Sequence, residues 1–208
     1  MTADAIIFDL DGTLWDSLDG IHLTWNRVMA RHPEVRGPIS KQELENVLGM
    51  QMDEITRTLF PNESSERQAA LIEECVIEEN AYLERHGGIL YPHLEETLAA
   101  LAKQHRLFIV SNCQAGYIEA FLTAHQLWEY FEGKLCFGDT GNGKKENIQA
   151  VVRTYGLQNP IYVGDTQGDK NASTAAGVPF VFASYGFGAV DDYTASIDSF
   201  DQLACLFS

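Results

Sequence analysis

The sequence predicts an α/β protein, a doubly wound parallel sheet with an all-helical segment inserted after its first strand. Three observations carry this. Five short apolar runs, at 5–8, 107–110, 135–137, 161–163 and 180–183, are continuous rather than alternating, as in strands buried on both faces of a parallel sheet. Helix-length stretches separate the later runs, and alternating strand and helix imply right-handed crossovers. Residues 16–86 break that rhythm, with helical signatures and no convincing strand.

Taken in order, the first strand is 5–8, Ala-Ile-Ile-Phe. The helical insert follows. In it Ser40-Lys41-Gln42-Glu43 reads as a capping box, and Ser65 with Gln68 as a second, because a hydroxyl and a side chain three residues on satisfy free amides reciprocally. Ala69, Ile72, Val76 and Leu83 then form a helical stripe, and Pro33, Pro38 and Pro61 punctuate the helices. Beyond residue 86, Leu94, Leu98, Leu101 and Ala102 share a helical face, and 118–127, 148–155 and 171–176 are further helices between the remaining strands. The division expected is a core of 1–15 plus 87–208 and a helical domain of 16–86.

Composition narrows the function. Hydrophobic residues make up 45% of the 208 and charged residues 21%, which is ordinary for a globular protein with a sizeable core. The formal net charge is −16, and no Lys/Arg run exists to neutralise phosphates, so neither nucleic acid nor an anionic membrane is an expected partner. No apolar stretch approaches the ~18 residues of a membrane span. Cys75, Cys113, Cys136 and Cys205 lack metal-ligand spacing. A reduced, cytoplasmic monomer is expected.

The information lies where the apolar runs end. The first ends in Asp9-Leu10-Asp11-Gly12-Thr13, the second in Ser111-Asn112, the fourth in Gly164-Asp165-Thr166-Gln167-Gly168-Asp169. Asp, Ser and Gly commonly start loops and cap helices, which suffices for any one of these alone. Ligands of parallel α/β sheets bind beyond the carboxyl ends of the strands, so three such ends together point to one crevice. Asp9 and Asp11, two apart in an extended chain, share a face roughly 6–7 Å apart. One carboxylate can attack an electrophile while the other handles a proton. Asp165 would complete an oxygen-rich pocket for a hard cation, Mg²⁺ above all. A carboxylate nucleophile beside Mg²⁺ points to phosphoryl transfer through an aspartyl-phosphate.

Asp9-Leu10-Asp11-Gly12-Thr13-Leu14 resembles the first motif of the haloacid dehalogenase-like hydrolase superfamily. Ser111-Asn112 resembles its second motif, a lysine at 144 or 145 its third, and Gly164-Asp165-x-x-x-Asp169 its fourth, in the same order and spacing over the whole chain. The resemblance implies a Rossmann-like core with a helical cap at 16–86. It makes Asp9 the nucleophile and a metal ligand, and Asp11 the general acid/base with its backbone carbonyl on the metal. It places Asp165 on Mg²⁺ and Asp169 behind the metal or the lysine. Ser111 and Asn112 bind the transferring phosphoryl group, and Gly12 lets backbone amides approach it. The lysine offsets the charge of nucleophile and phosphate. The family's Lys-Pro-x-Pro is here Gly143-Lys144-Lys145-Glu146, and adjacent residues at a helix start point about 100° apart; Lys144 is chosen because Lys-x-Glu-Asn-Ile matches the spacing of relatives without the prolines.

The look is closest to phosphoglycolate phosphatase-like enzymes acting on a small phosphorylated metabolite. Asp11 favours phosphate over halide chemistry, since the dehalogenases of the superfamily lack the second aspartate. Rival readings are a mutase resembling beta-phosphoglucomutase, told apart by its product, and a non-catalytic phospho-acceptor signalling module, which needs neither Asp11 nor the cap. Within the insert, His22, Trp25, Asn26 and Arg57 are weighed as leaving-group contacts but read first as packing or solvated residues. Trp15 reads as packing, Lys41 as an exposed helix start, and Cys113 as a small buried thiol. Glu73, Glu74, Glu78 and Glu79 read as the solvated face of a long helix, and 185–188 as a loop that could rim the site.

Overall fold

Ala5–Phe8 forms strand β1, and all four of its residues are buried, as its uninterrupted apolar run requires. The computed structural model describes residues 1–207. After β1 come β2 (Trp15–Asp16) and four helices: α1 (Leu18–Arg31), α2 (Lys41–Glu45), α3 (Met52–Leu59) and α4 (Ser65–His86). The chain returns through β3 (Ile89–Leu90) and continues as α5 (Leu94–Leu101), β4 (Arg106–Ser111), α6 (Tyr117–His125), β5 (Gly133–Cys136) and α7 (Phe137–Thr140). It ends with α8 (Lys144–Tyr155), β6 (Pro160–Gly164), α9 (Gln167–Ala176), β7 (Phe180–Ala183), β8 (Ala195–Ile197) and α10 (Gln202–Leu206).

The main sheet has the order β5-β4-β1-β6-β7-β8, and every neighbouring pair in it is parallel. The chain winds outward in both directions from β1, so the fold is doubly wound. Side chains alternate between the faces. Ile6, Phe8, Leu107 and Ile109 join one apolar cluster, and Ala5, Ile7, Phe108 and Val110 the other. The crossover from β1 to β4 opens a crevice at the carboxyl ends of β1, β4 and β6, the switch point where such sheets bind ligands.

The helical segment has its own apolar cluster, built from Leu18, Trp25, Val28, Leu44, Ile55, Leu59, Phe60, Leu71 and neighbours. Ser40 and Glu43 form the expected capping box. The second cap lies one residue earlier than the sequence suggests: Ser64, not Ser65, accepts from the Arg67 N–H. The buried residues of α4 are Leu71, Cys75, Glu79 and Leu83, not the stripe through Ala69, Ile72 and Val76. The reason is that α4 packs against both α1 and α6, so its inward face is set by two partners. Glu79 is therefore only 2% exposed, which corrects its assignment to a solvated face. Glu74 and Glu78 do remain on the partly exposed side, paired with Arg31.

Three further elements depart from expectation. The run at 135–137 gives strand β5 as Gly133–Cys136, and Phe137 begins α7. The edge strand β8 has three residues and a single buried one, Ile197. Strands β2 and β3 pair antiparallel, Trp15 with Leu90 and Asp16 with Ile89, joining the two connections to the helical segment.

Candidate active site

Asp9 follows the last residue of β1, and its N–H donates to the Val163 carbonyl on β6 at 2.9 Å. The backbone of this carboxylate is thus fixed by the sheet. One carboxylate oxygen from each of Asp9, Asp165 and Asp169 lies within 4.8 Å of the other two, and all three residues are buried. Lys144 enters from the first turn of α8, with Nζ 2.9 Å from Asp9 Oδ1 and in contact with Asp169 Oδ1. Lys145 points outward to Glu146. Of the two candidate lysines, the structure brings Lys144 to the carboxylates.

Asp169 does two jobs. Its Oδ2 accepts from the Thr166 N–H at 3.0 Å and the Thr166 hydroxyl at 2.6 Å, completing a capping box on α9, and its Oδ1 holds Lys144. The Tyr162 ring lies beside the Lys144 ammonium at 5.9 Å, and its hydroxyl donates to the Val110 carbonyl at 2.7 Å. Asp165 accepts from the Phe187 N–H at 2.8 Å and the Thr13 hydroxyl at 3.3 Å. The loop at 185–188 therefore rims the site, and Gly186 is essential there: a Cβ would lie 2.3 Å from Asp165 Cβ.

Gly12 has φ of +76°, and a Cβ on it would meet Asp165 Oδ2 at 2.2 Å. It does not line the cavity described below; its missing side chain makes room for Asp165. The Asp11 carboxylate is also outside the acidic cluster. It turns to accept from Ser17 Oγ at 2.6 Å and Tyr117 OH at 2.8 Å.

Burial, and then the charge of Asp169, push Asp9 up to about 7 against the pull of Lys144. Burial also raises Asp165 and Asp11. Burial alone would lower Lys144, but Asp169 and Asp9 outweigh it and hold the ammonium charged. Three carboxylates against one cation leave this cluster short of positive charge. Asp9 Oδ1 is buried, and its contact with Lys144 lacks the directionality of a hydrogen bond. The donor set, all oxygen and anionic, fits a hard divalent cation.

Beside the cluster lies a cavity of about 40 Å³, room for a few waters. Asp9, Asp11, Ser111 and Asn112 line its floor, and residues of the helical segment form its roof. Asn112 Nδ2 donates to the Gly49 carbonyl at 3.0 Å, closing the roof over the floor. Of the four insert residues weighed as leaving-group contacts, only Trp25 lines the cavity. Arg57 pairs with Asp53 on the surface, Lys41 pairs with Asp19, and Asn26 holds both backbone groups of Ile39. Gln114 and Tyr117 are lining residues the sequence did not single out, and Glu79 lines the cavity although the sequence reads it as solvated; no local pattern marks any of the three.

The model of the haloacid dehalogenase-like hydrolase family matches residues 6–183. The chain belongs to the haloacid dehalogenase-like hydrolases. A phosphoglycolate phosphatase from Aliivibrio fischeri is 30% identical over 198 residues, covering 88% of this chain and 84% of the relative. The fold is shared with a HAD-superfamily hydrolase of subfamily IA from Geobacter sulfurreducens, at a TM-score of 0.75, 20% identity and coverage of 99% of this chain and 97% of that one. It is shared too with CbbY from Rhodobacter sphaeroides, solved with xylulose-1,5-bisphosphate, at 0.82, 18% identity and coverage of 97% and 96%. The protein is thus a HAD-like hydrolase whose curated relatives include phosphatases. Among its described residues no helix is long and apolar enough to cross a membrane.

Proposed function

We propose that this HAD-like hydrolase is a Mg²⁺-dependent phosphatase that cleaves a small phosphate monoester through an aspartyl-phosphate on Asp9. One observation carries the reading: Asp9 alone belongs both to the acidic cluster and to the lining of the cavity. A nucleophile must face its substrate on one side and a charge-neutralising group on the other, and Asp9 does.

In this mechanism an Asp9 carboxylate oxygen bonds to phosphorus as the bond to the leaving oxygen breaks. Asp11 gives its proton to that oxygen, and an alcohol departs. Asp11, now a carboxylate, takes a proton from water as the water oxygen bonds to phosphorus. The bond from Asp9 to phosphorus breaks, and inorganic phosphate leaves. Burial raises Asp11, which favours its carrying a proton before the first step, while Ser17 and Tyr117 hold it in one orientation. Ser111 and Asn112 receive the phosphoryl oxygens, and Lys144 offsets their charge. The carboxylates of Asp9 and Asp165, with the backbone carbonyl of Asp11, would hold Mg²⁺, which would supply the remaining positive charge needed for one anion to approach another. Residues 16–86 act as a cap that excludes water from the reaction.

The test is phosphate release from small monoesters with and without Mg²⁺, together with acid-quenched capture of ³²P on the protein from a labelled substrate. Metal-dependent release with label on wild type and none on Asp9→Asn is expected. Release that persists at the wild-type rate in Asp9→Asn would falsify the covalent route.

A further inference from the structure

The cavity roof has a chemistry that the resemblance to phosphoglycolate phosphatases does not explain. Phosphoglycolate carries a carboxylate on its leaving group, and a buried carboxylate needs a cation or several hydrogen-bond donors. None of the residues lining this cavity is Lys, Arg or His. The helical segment contributes apolar side chains, among them Ile21, Trp25, Leu44, Leu48, Met52 and Ile55, and one acidic group, Glu79. Lys144, the cation nearest the floor, lies behind Asp9, already engaged with Asp9 and Asp169.

Glu79 does not rescue an anion in either protonation state. Ionised, it repels one; neutral, it brings no positive charge. A cationic group would have to share it with two donors already in place. Trp25 Nε1 donates to its Oε2 and Gln114 Nε2 to its Oε1 at 2.8 Å, inside an otherwise apolar wall. The Asn112–Gly49 contact keeps the enclosed space small.

We infer that the leaving group is a small, uncharged and largely apolar alcohol, and that Glu79 with the apolar roof discriminates against phosphate esters whose alcohol carries a carboxylate. This rests on the phosphatase reading above and names the substrate class for the same site. Glu79 acts here on specificity and touches no reacting atom.

A matched set of two-carbon esters tests it: ethyl phosphate, phosphoglycolate and phosphoethanolamine, assayed with Mg²⁺ beside p-nitrophenyl phosphate as a generic substrate. Ethyl phosphate is expected to exceed both charged esters in kcat/KM by tenfold or more. Glu79→Gln should narrow the gap in kcat/KM between ethyl phosphate and phosphoglycolate severalfold. Leu48→Lys, at a half-buried position of the roof, should shift the same ratio toward phosphoglycolate by at least tenfold. A preference for phosphoglycolate or phosphoethanolamine in the wild type overturns the inference, as does turnover of p-nitrophenyl phosphate with none of the three. A ratio unmoved by Leu48→Lys overturns the placement of the leaving group against the roof. Failure to hydrolyse any ester, p-nitrophenyl phosphate included, would instead count against the phosphatase reading itself.

Discussion

Lys144 Nζ lies 2.9 Å from Asp9 Oδ1, inside a site where its neighbour Lys145 has no part. One residue of register at the start of α8 separates a buried counter-charge from a solvated surface cation. Lys144→Met should lower kcat/KM by ~10²-fold or more, as loss of a preorganised charge at a reacting oxyanion does. It should also cost about 3 kcal/mol of stability, because Asp9 and Asp169 are left without their cation. Lys145→Met should stay within about twofold in activity. Phosphate-release kinetics and urea unfolding of the two variants, compared side by side, check this.

Asp11→Asn should damage the chemical step more than binding. With no proton for the leaving oxygen and no base for water, kcat is expected to fall ~10²–10⁴-fold with KM little changed. Substrates with good leaving groups need the proton less, so p-nitrophenyl phosphate should lose less rate than ethyl phosphate. Equal losses on both would mean that Asp11 does not protonate the leaving oxygen.

The space at Gly12 is spoken for by Asp165. Gly12→Ala places a methyl carbon 2.2 Å from Asp165 Oδ2 at a φ of +76°, combining a clash with backbone strain. The variant is expected to lose about 1–3 kcal/mol of stability. Its midpoint for activation by Mg²⁺ should rise at least tenfold, because the displaced carboxylate is a proposed ligand. Titration of activity against Mg²⁺ reads this directly.

Stability should depend on pH through Glu79. Burial pushes its carboxyl from 4.5 up to about 7, with Asp11 adding to the rise and hydrogen bonds from Trp25 and Gln114 opposing it; the Tyr117 hydroxyl and the Cys75 thiol are further titratable groups facing it. The unfolded chain releases this proton near 4.5 while the folded one keeps it to about 7. Its contribution to stability is therefore fully present below 4.5 and lost as pH rises through 7, a change of about 3 kcal/mol. Glu79→Gln does not titrate, so its thermal stability relative to wild type should improve steadily from pH 5 to 8. A gap independent of pH would show that Glu79 is already ionised when buried.

How far the sequence could be read depended on whether a feature is local. Strands β1 and β7 coincide with uninterrupted apolar runs because both faces of each are buried, and the carboxylates at the strand ends stand out because a parallel sheet gathers such ends together. Strand β8 was invisible, since an edge strand of three residues with one buried side chain has no pattern of its own. The pairing of β2 with β3 joins residues more than seventy apart in the chain, and two-residue strands leave no periodicity. Glu79 reads as solvated because a charge run on a helix usually is; Trp25 on α1 and Gln114 in the connection before α6 hold that position inward. Asp11 lines the same cavity floor as Asp9, but the Ser17 and Tyr117 hydroxyls that hold its carboxylate are not legible as partners, since Tyr117 lies a hundred residues downstream.

The antiparallel pairing of Trp15 with Leu90 and Asp16 with Ile89 ties together the two chain segments that lead into and out of the helical segment. Two separate tethers would let the helices swing and twist in several directions. Strands bonded to each other cannot move independently, so any displacement of the roof carries both tethers together. Glycine residues inserted to unpair these strands would leave every cavity residue intact, so a change of substrate preference in such a variant would trace to the alignment of roof and floor rather than to side-chain chemistry.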